Sequence, residues 1–175
     1  MNDTVVAFAA EFGDQCILRM RESTERIERC LGELSETEIW RRPNDQLASV
    51  GNLVLHLCGN IGQYILSSLG DRPDSRIRRQ EFDAMGGYTR QQLQDMMHTT
   101  AEEAIKIIAA ATPQEMMRVR MVQGFSMSGI GICVHVTEHY SYHTGQIALH
   151  TKLLRNKDLG FYAGQDLDVK NDSGV

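Results

Sequence analysis

One stretch constrains the fold of this chain more than any other. In Val134-His135-Val136-Thr137-Glu138-His139-Tyr140-Ser141-Tyr142-His143-Thr144-Gly145-Gln146-Ile147, three histidines stand four residues apart, and His150 follows further on. At about 100° per residue on an α-helix, His135, His139 and His143 rise up one narrow face and His150 returns to it. Residues four apart are neighbours on a helix surface, so imidazoles on adjacent turns can reach one ion, and imidazole nitrogen is a favoured ligand for borderline metals. The stretch therefore predicts a long helix whose histidines can reach a metal ion, and it leaves open which of them do and what completes the site.

The remainder of the chain supplies partners for that helix. From Thr4 to about Leu34 there is no proline, and Val5, Phe8, Phe12, Cys16, Ile17, Met20, Ile27, Leu31 and Leu34 recur near helical spacing, with Asn2 or Asp3 as the cap. Ser35-Glu36-Thr37-Glu38 is a capping box that opens a short helix through Trp40, closed by Pro43. Ser49 caps a second long helix from Val50 to about Leu69, striped by Leu53, Leu57, Ile61, Ile65 and Leu69 and stopped at Gly70-Asp71-Arg72-Pro73. Residues 71–88 are polar and contain Gly86-Gly87, which reads as a long loop or lid.

Thr89-Arg90-Gln91-Gln92 opens a third long helix to about Ala110, and Thr112-Pro113-Gln114-Glu115 starts another short helical turn. Residues 118–125 read as an extended connector before Ser126 or Ser128 caps the histidine helix, which runs to about Leu154. The aromatic pair Phe161 and Tyr162 is expected to pack on the bundle, and the polar residues 164–175 to fray as a tail. Four long helices and a length of 175 residues fit one all-α domain, a four-helix bundle over residues 1–163 with short extra helices and a long loop between the second and third.

Eighteen basic against twenty-three acidic residues, a net charge of −5, argue against a nucleic-acid surface and against steering to anionic membranes. Arg76, Arg78 and Arg79, the nearest approach to a basic patch, read as solvated loop charges. No apolar run reaches the ~20 residues of a membrane span, and Met1 to Ala10 lacks the features of a signal peptide, so a cytoplasmic protein is expected. Cys16, Cys30, Cys58 and Cys133 form no CxxC pair and read as reduced thiols.

A bundle builds metal sites from side chains on facing helices, and the second long helix offers one histidine, His56, with Asn52, Asn60 and Gln63 near it. Polar groups inside a core must be paired, and a metal held by His56 with two of the later histidines would satisfy that need. The pairs His135/His139 and His139/His143 are equivalent by geometry. Tyr140 stands where a HExxH motif has its glutamate, which weakens a peptidase reading. Three neutral histidines leave an ion with an open position, where a bound water or an incoming thiol is acidified. Cys133 lies about 120° round the helix from His139 and Cys58 about 160° round from His56, so neither suits as a fourth ligand. Glu138 points about 100° away from His139 and reads as a carboxylate supporting the site or as a solvated charge.

Two segments resemble the DinB/YfiT-like superfamily of metal-dependent four-helix-bundle proteins. They are Trp40-Arg41-Arg42-Pro43 with Ser49-Val50-Gly51-Asn52-Leu53-Val54-Leu55-His56-Leu57, and the HxxxHxxxHxGQI-like run from His135 to Ile147. The ending Lys157-Asp158-Leu159-Gly160-Phe161-Tyr162 is similar to that of one poorly characterised subfamily. The resemblance implies that His56, His139 and His143 hold a divalent ion, zinc or nickel, with His135 beside them in a supporting place. It also implies a small-molecule reaction, either S-transfer with a low-molecular-weight thiol or hydrolysis. Tyr142 departs from the histidine many members carry there. Asn60, Gln63, Tyr64 and Tyr142 are the candidate pocket residues, and no catalytic base is assigned. The rival from another class is a helical sensor or interaction module whose metal is structural or absent, and a homodimer is compatible with either.

Overall fold

In the computed structural model, residues 3–171 are described; the capping candidate Asn2 and the last residues of the tail, 172–175, lie outside them. Helix α1 spans Asp3–Glu33 and α2 spans Glu36–Trp40, the latter opened by the Ser35 capping box, in which Glu38 accepts from the Ser35 amide at 2.8 Å. Helix α3 spans Val50–Ile61 and begins at a second box made by Ser49 and Asn52. After α4 (Arg78–Asp83) come α5 (Arg90–Ala110), capped by Thr89 and Gln92, and α6 (Pro113–Met117), with proline in its first turn where a missing N–H costs nothing. Strands β1 (Val119–Val122) and β2 (Phe125–Ser128) form an antiparallel hairpin, and α7 runs Gly129–Arg155 from its Ser128 cap to Asn156 in the left-handed region.

The four long helices α1, α3, α5 and α7 make the bundle, with α1 against α5 and α7, and α3 against the same two. Its core joins Met20, Ile27 and Leu31 of α1 to Leu57 and Ile61 of α3, Leu93 and Met97 of α5, and Ile132, Val136 and Ile147 of α7. Two hydroxyls that enter this core are paired with each other: those of Thr24 and Tyr140 meet at 2.7 Å between α1 and α7. Among the described residues, no helix is long and apolar enough to cross a membrane.

Three sequence expectations need correction. The second long helix does not stay α-helical to Leu69: from Gly62 to Leu69 it is π-wound, and Gly70 N donates to Ile65 O, five residues back, at 2.8 Å. A stripe at spacing four drifts forward round an α-helix and backward round a π-helix, so the change of winding holds Ile65 and Leu69 on the buried side. The connector at 118–125 is a hairpin whose turn residues Gln123 and Gly124 both have positive φ, 50° and 84°, as a tight two-residue turn demands.

The third correction concerns residues 71–88, where the long loop over the bundle carries an unexpected short helix, α4. They fold α4 across α3, where Asn52 Nδ2 donates to the carbonyls of Glu81 (2.9 Å) and Ala84 (2.7 Å), and Arg42 donates to Phe82 O. The same Asn52 whose Oδ1 closes the Ser49 cap thus fastens α4 with its amino group. At the other end of the chain, Leu159 is buried, Arg29 donates to the carbonyls of Leu159 and Gly160, and Arg26 lies over the rings of Phe161 (5.5 Å) and Tyr162 (5.3 Å).

Candidate metal centre

His56 faces α7 from the inner side of α3, and His139 and His143 face it from successive turns of α7. The ring centroids of His56 stand 5.0 Å from those of both His139 and His143, and the latter two are 4.4 Å apart, all edge to face. One ligand nitrogen from each ring lies within 4.8 Å of the others. His56 Nε2 and His139 Nε2 are only 2.9 Å apart.

The protons on these rings follow from their outer partners. Glu81 of α4 places Oε2 2.8 Å from His56 Nδ1, and the same carboxylate accepts from Arg76 Nε at 2.7 Å and Nη2 at 3.0 Å. Arg76 Nη2 is also 3.1 Å from His56 Nδ1, but a bare Nδ1 would face the carboxylate lone pairs, so Nδ1 carries the proton and donates to Glu81. His143 Nδ1 stands 2.7 Å from Gln146 Oε1, an acceptor one turn on, and carries its proton too. Both rings therefore present a bare Nε2 inward, the tautomer that ligating histidines adopt when their other nitrogen donates to a carboxylate or carbonyl.

Burial, then the neighbouring His143, His56, His135 and Arg76, pull the pKa of His139 down to about 3. Burial lowers His143 as well, against the opposing hydrogen bond to Gln146, and lowers His135 against the raising effect of Glu138. Burial would raise the carboxyl of Glu81, but its hydrogen bonds from His56 and Arg76 and their charge outweigh this and hold it below the ordinary carboxylate range. His135, His139 and His143 are thus held proton-poor close to a fixed carboxylate. Three imidazoles whose ligand nitrogens converge within 4.8 Å, with the outer nitrogens of His56 and His143 already committed, are a donor set that suits a borderline divalent cation, and the residues present fit one.

These shifts have a sign. An unfolded imidazole binds its proton near pH 6.5, whereas folded His139 does so near 3, so between those values the unfolded chain holds more protons. The stability of the metal-free protein is therefore complete above about pH 6.5 and falls as pH drops toward 3. Urea midpoints of metal-free protein should decline from pH 7 to pH 5, and His139→Ala should flatten the decline; equal midpoints at both pH values would contradict the assignment.

A family model described as a protein of unknown function, DUF1572, matches residues 7–163. The chain belongs to the DUF1572 family. Among curated proteins, none matches it. Among solved structures, a DinB-like protein from Bacillus cereus ATCC 10987 is similar at a TM-score of 0.65 and 13% identity, over 81% of this chain and 91% of that one. The likeness at that identity speaks for the fold, and the all-α four-helix bundle expected from the sequence is borne out.

Other candidates from the DUF1572 sequence divide by location. His135 lies one turn before His139 and stacks on it at 5.5 Å; its other face meets Tyr64 at 4.4 Å, and its Nε2 is 3.4 Å from Asn60 Nδ2. Asn60 is buried and its Oδ1 lacks a partner. Tyr64 donates to Gln123 of the hairpin turn at 2.9 Å. Gln63 belongs instead to the arm of Arg76, accepting from its Nη1 at 3.0 Å. Tyr142 is exposed, its ring edge-on to His143 at 5.0 Å. Glu138 lines a cavity of about 520 Å³ between α1 and α7, with Cys16, Arg19, Arg26 and Tyr162. His150 lines a separate notch with Arg41 and Pro43. All four cysteines are buried, and burial pushes Cys58 and Cys133 up to about 12, so neither offers a thiolate.

Arg76, Glu81 and Gln146 are the site residues the sequence did not reveal. Arg76 is no solvated charge: its side chain is 4% exposed and clamped to Glu81. The clamp lies on α3 at Gly59, where a Cβ would come within 2.0 Å of Glu81 Oε1 and 3.0 Å of Arg76 Nε. Gly59 and a lone Glu in a polar segment were the available signals, though neither shows its partner. Gly59→Ala should leave α3 folded, since alanine favours helix over glycine, while displacing Glu81 from His56 and weakening divalent-metal affinity about 10–100-fold. Metal titration beside circular dichroism checks this, and an unchanged affinity would count against the role given to Glu81.

Proposed function

We propose that this protein is a metal-dependent enzyme in which His56, His139 and His143 hold one divalent ion, zinc or nickel, and that its reaction is S-transfer from a low-molecular-weight thiol to a small electrophile. The observation that carries the reading is the convergence of those three imidazoles with the outer nitrogens of His56 and His143 already committed to Glu81 and Gln146. When bound, such an ion supplies Lewis acidity that acidifies a thiol or water entering its open position.

The protein's own groups have definable parts in this scheme. Glu81 and Arg76 hold His56 in one tautomer and one orientation, and Gln146 does the same for His143. The low proton affinity of His139 keeps the donor set free for a cation at neutral pH. His135 and Asn60 form a polar layer one turn along, in which Asn60 Oδ1 is buried without a partner.

Thiol activation is favoured over hydrolysis by the placement of carboxylates. Glu81, which touches the cluster, is held by two hydrogen bonds from Arg76 and one from His56, and Glu138 lines the cavity against α1. Glu81 is thus not free to serve as the general base that water attack ordinarily uses, and Glu138 lies toward α1, whereas a metal-held thiolate needs none for its attack. The test mixes metal-loaded protein with bacillithiol, mycothiol or glutathione and an electrophile such as monochlorobimane. Thioether formation above background with one of them is expected. No rate with any thiol, alongside turnover of ester or amide substrates, would replace transfer with hydrolysis. A metal whose removal unfolds the chain, with no turnover of either kind, would favour the structural rival.

A further inference from the structure

Helix α7 packs its inner side on α1 and α3, and its outer side carries a second, exposed stripe, of which Val134, Glu138 and Ser141 also line the cavity shared with α1. Val134, Tyr142, Leu149 and Leu153 are 49%, 62%, 57% and 73% exposed, and Glu138, Ser141, Gly145 and Lys152 are exposed with them. At 100° per residue these eight positions fall within a sector of about 120°, so they share one broad face over about 29 Å of helix. An exposed helix face that sets apolar side chains among a few charges in this way suits contact with another helix.

The stripe is self-complementary about one point. Glu138 and Lys152 stand seven residues either side of Gly145, each within about 20° of it round the helix, and neither makes an ion pair among the described residues. Nothing lies within 4 Å of where a Gly145 Cβ would be, so a second backbone can approach closely there. In an isologous two-fold contact residue i meets j and j meets i. An antiparallel α7 crossing its own copy at Gly145 sets Glu138 opposite Lys152 twice, Leu149 opposite Ser141 and Tyr142, and Leu153 opposite Val134 and Glu138.

We infer that the outer face of α7 is the interface of a two-fold homodimer, with Gly145 at the crossing and Glu138–Lys152 ion pairs at both ends. The partner is a second copy of this chain because the charge pattern matches its own reverse. The seam runs beside the histidine face of α7, so each partner helix forms a wall on the Tyr142 side of the candidate metal centre. This interface stands independently of the metal reading, and metal-free protein forms it as well.

Sedimentation velocity of the full chain should give twice the chain mass at micromolar concentration. Leu149→Glu and Leu153→Glu, both at exposed positions, should weaken association at least about 100-fold with unchanged circular dichroism. Glu138→Lys and Lys152→Glu should each weaken the dimer, and the two together should restore it. Gly145→Cys should crosslink to a dimer on mild oxidation, since a disulfide requires Cα atoms within about 7 Å. A monomeric wild type, a dimer indifferent to both leucine substitutions, a double swap that fails to restore association, or a Gly145→Cys chain that does not crosslink would each overturn the inference.

Discussion

His139→Ala is expected to abolish stoichiometric divalent-metal binding while leaving the bundle folded. His139 is the member of the cluster that touches every other: its ring lies 5.0 Å from His56, 4.4 Å from His143 and 5.5 Å from His135. Its ring is half-buried, so truncation opens a space that water can enter, not a sealed core cavity, and it strands no charge. Loss of a ligand exceeds the ~10–100-fold penalty that follows loss of an outer partner, so calorimetric titration should show at least a 100-fold weaker site. His135→Ala is the matched control. It removes a neighbour engaged with Tyr64 and Asn60 and should change metal affinity by no more than about threefold, well below the effect of losing a ligand. A variant lacking His139 that retains tight stoichiometric binding would remove it from the ligand set.

Glu81→Ala is expected to be among the most damaging substitutions away from the hydrophobic core. It strips the counter-ion from a guanidinium whose side chain is 4% exposed and leaves the His56 Nδ1 proton facing that charge. Breaking a buried pair by removing one partner costs about 3–5 kcal/mol, because the surviving charge stays desolvated. Urea unfolding should register that loss, and metal affinity should fall about 10–100-fold as His56 loses its orientation. Glu81→Gln, which keeps an acceptor for Nδ1 but not the charge, should fall between. Glu81→Leu with Arg76→Met should recover much of the stability, since no charge then remains buried, but not the metal affinity. That split separates the two roles of the pair. Stability within 1 kcal/mol of wild type for Glu81→Ala would show that the clamp is incidental.

What the sequence made legible was local. Ser35, Ser49, Thr89 and Ser128 each accept from the backbone three residues on, an interaction contained within one turn and therefore readable as a string of letters. The histidine face of α7 is likewise a matter of spacing. Choosing His139 and His143 over His135 was not, because i, i+4 pairs are alike until something outside the helix breaks the tie, here the resemblance. In the structure, His56 faces the later pair and Asn60 faces His135. Glu81 escaped because its meaning depends on α4 crossing α3, a placement set by Asn52 from 29 residues away and by the missing side chain at Gly59. Arg76 escaped with it, since a guanidinium in a polar segment looks solvated until its carboxylate is found. The π-wound end of α3 and the short hairpin are invisible for another reason: four-residue strands and a winding change leave the hydrophobic pattern almost unaltered.

The measurement that bears most directly on the central claim is the metal content of untagged protein, purified from zinc- and nickel-supplemented growth without chelators and analysed by plasma mass spectrometry. One divalent ion per chain is expected in the wild type, near zero in His139→Ala, and one again in His135→Ala. A wild type that carries no stoichiometric ion, or a His139→Ala variant that carries as much, would contradict the assignment of His56, His139 and His143 as a metal centre.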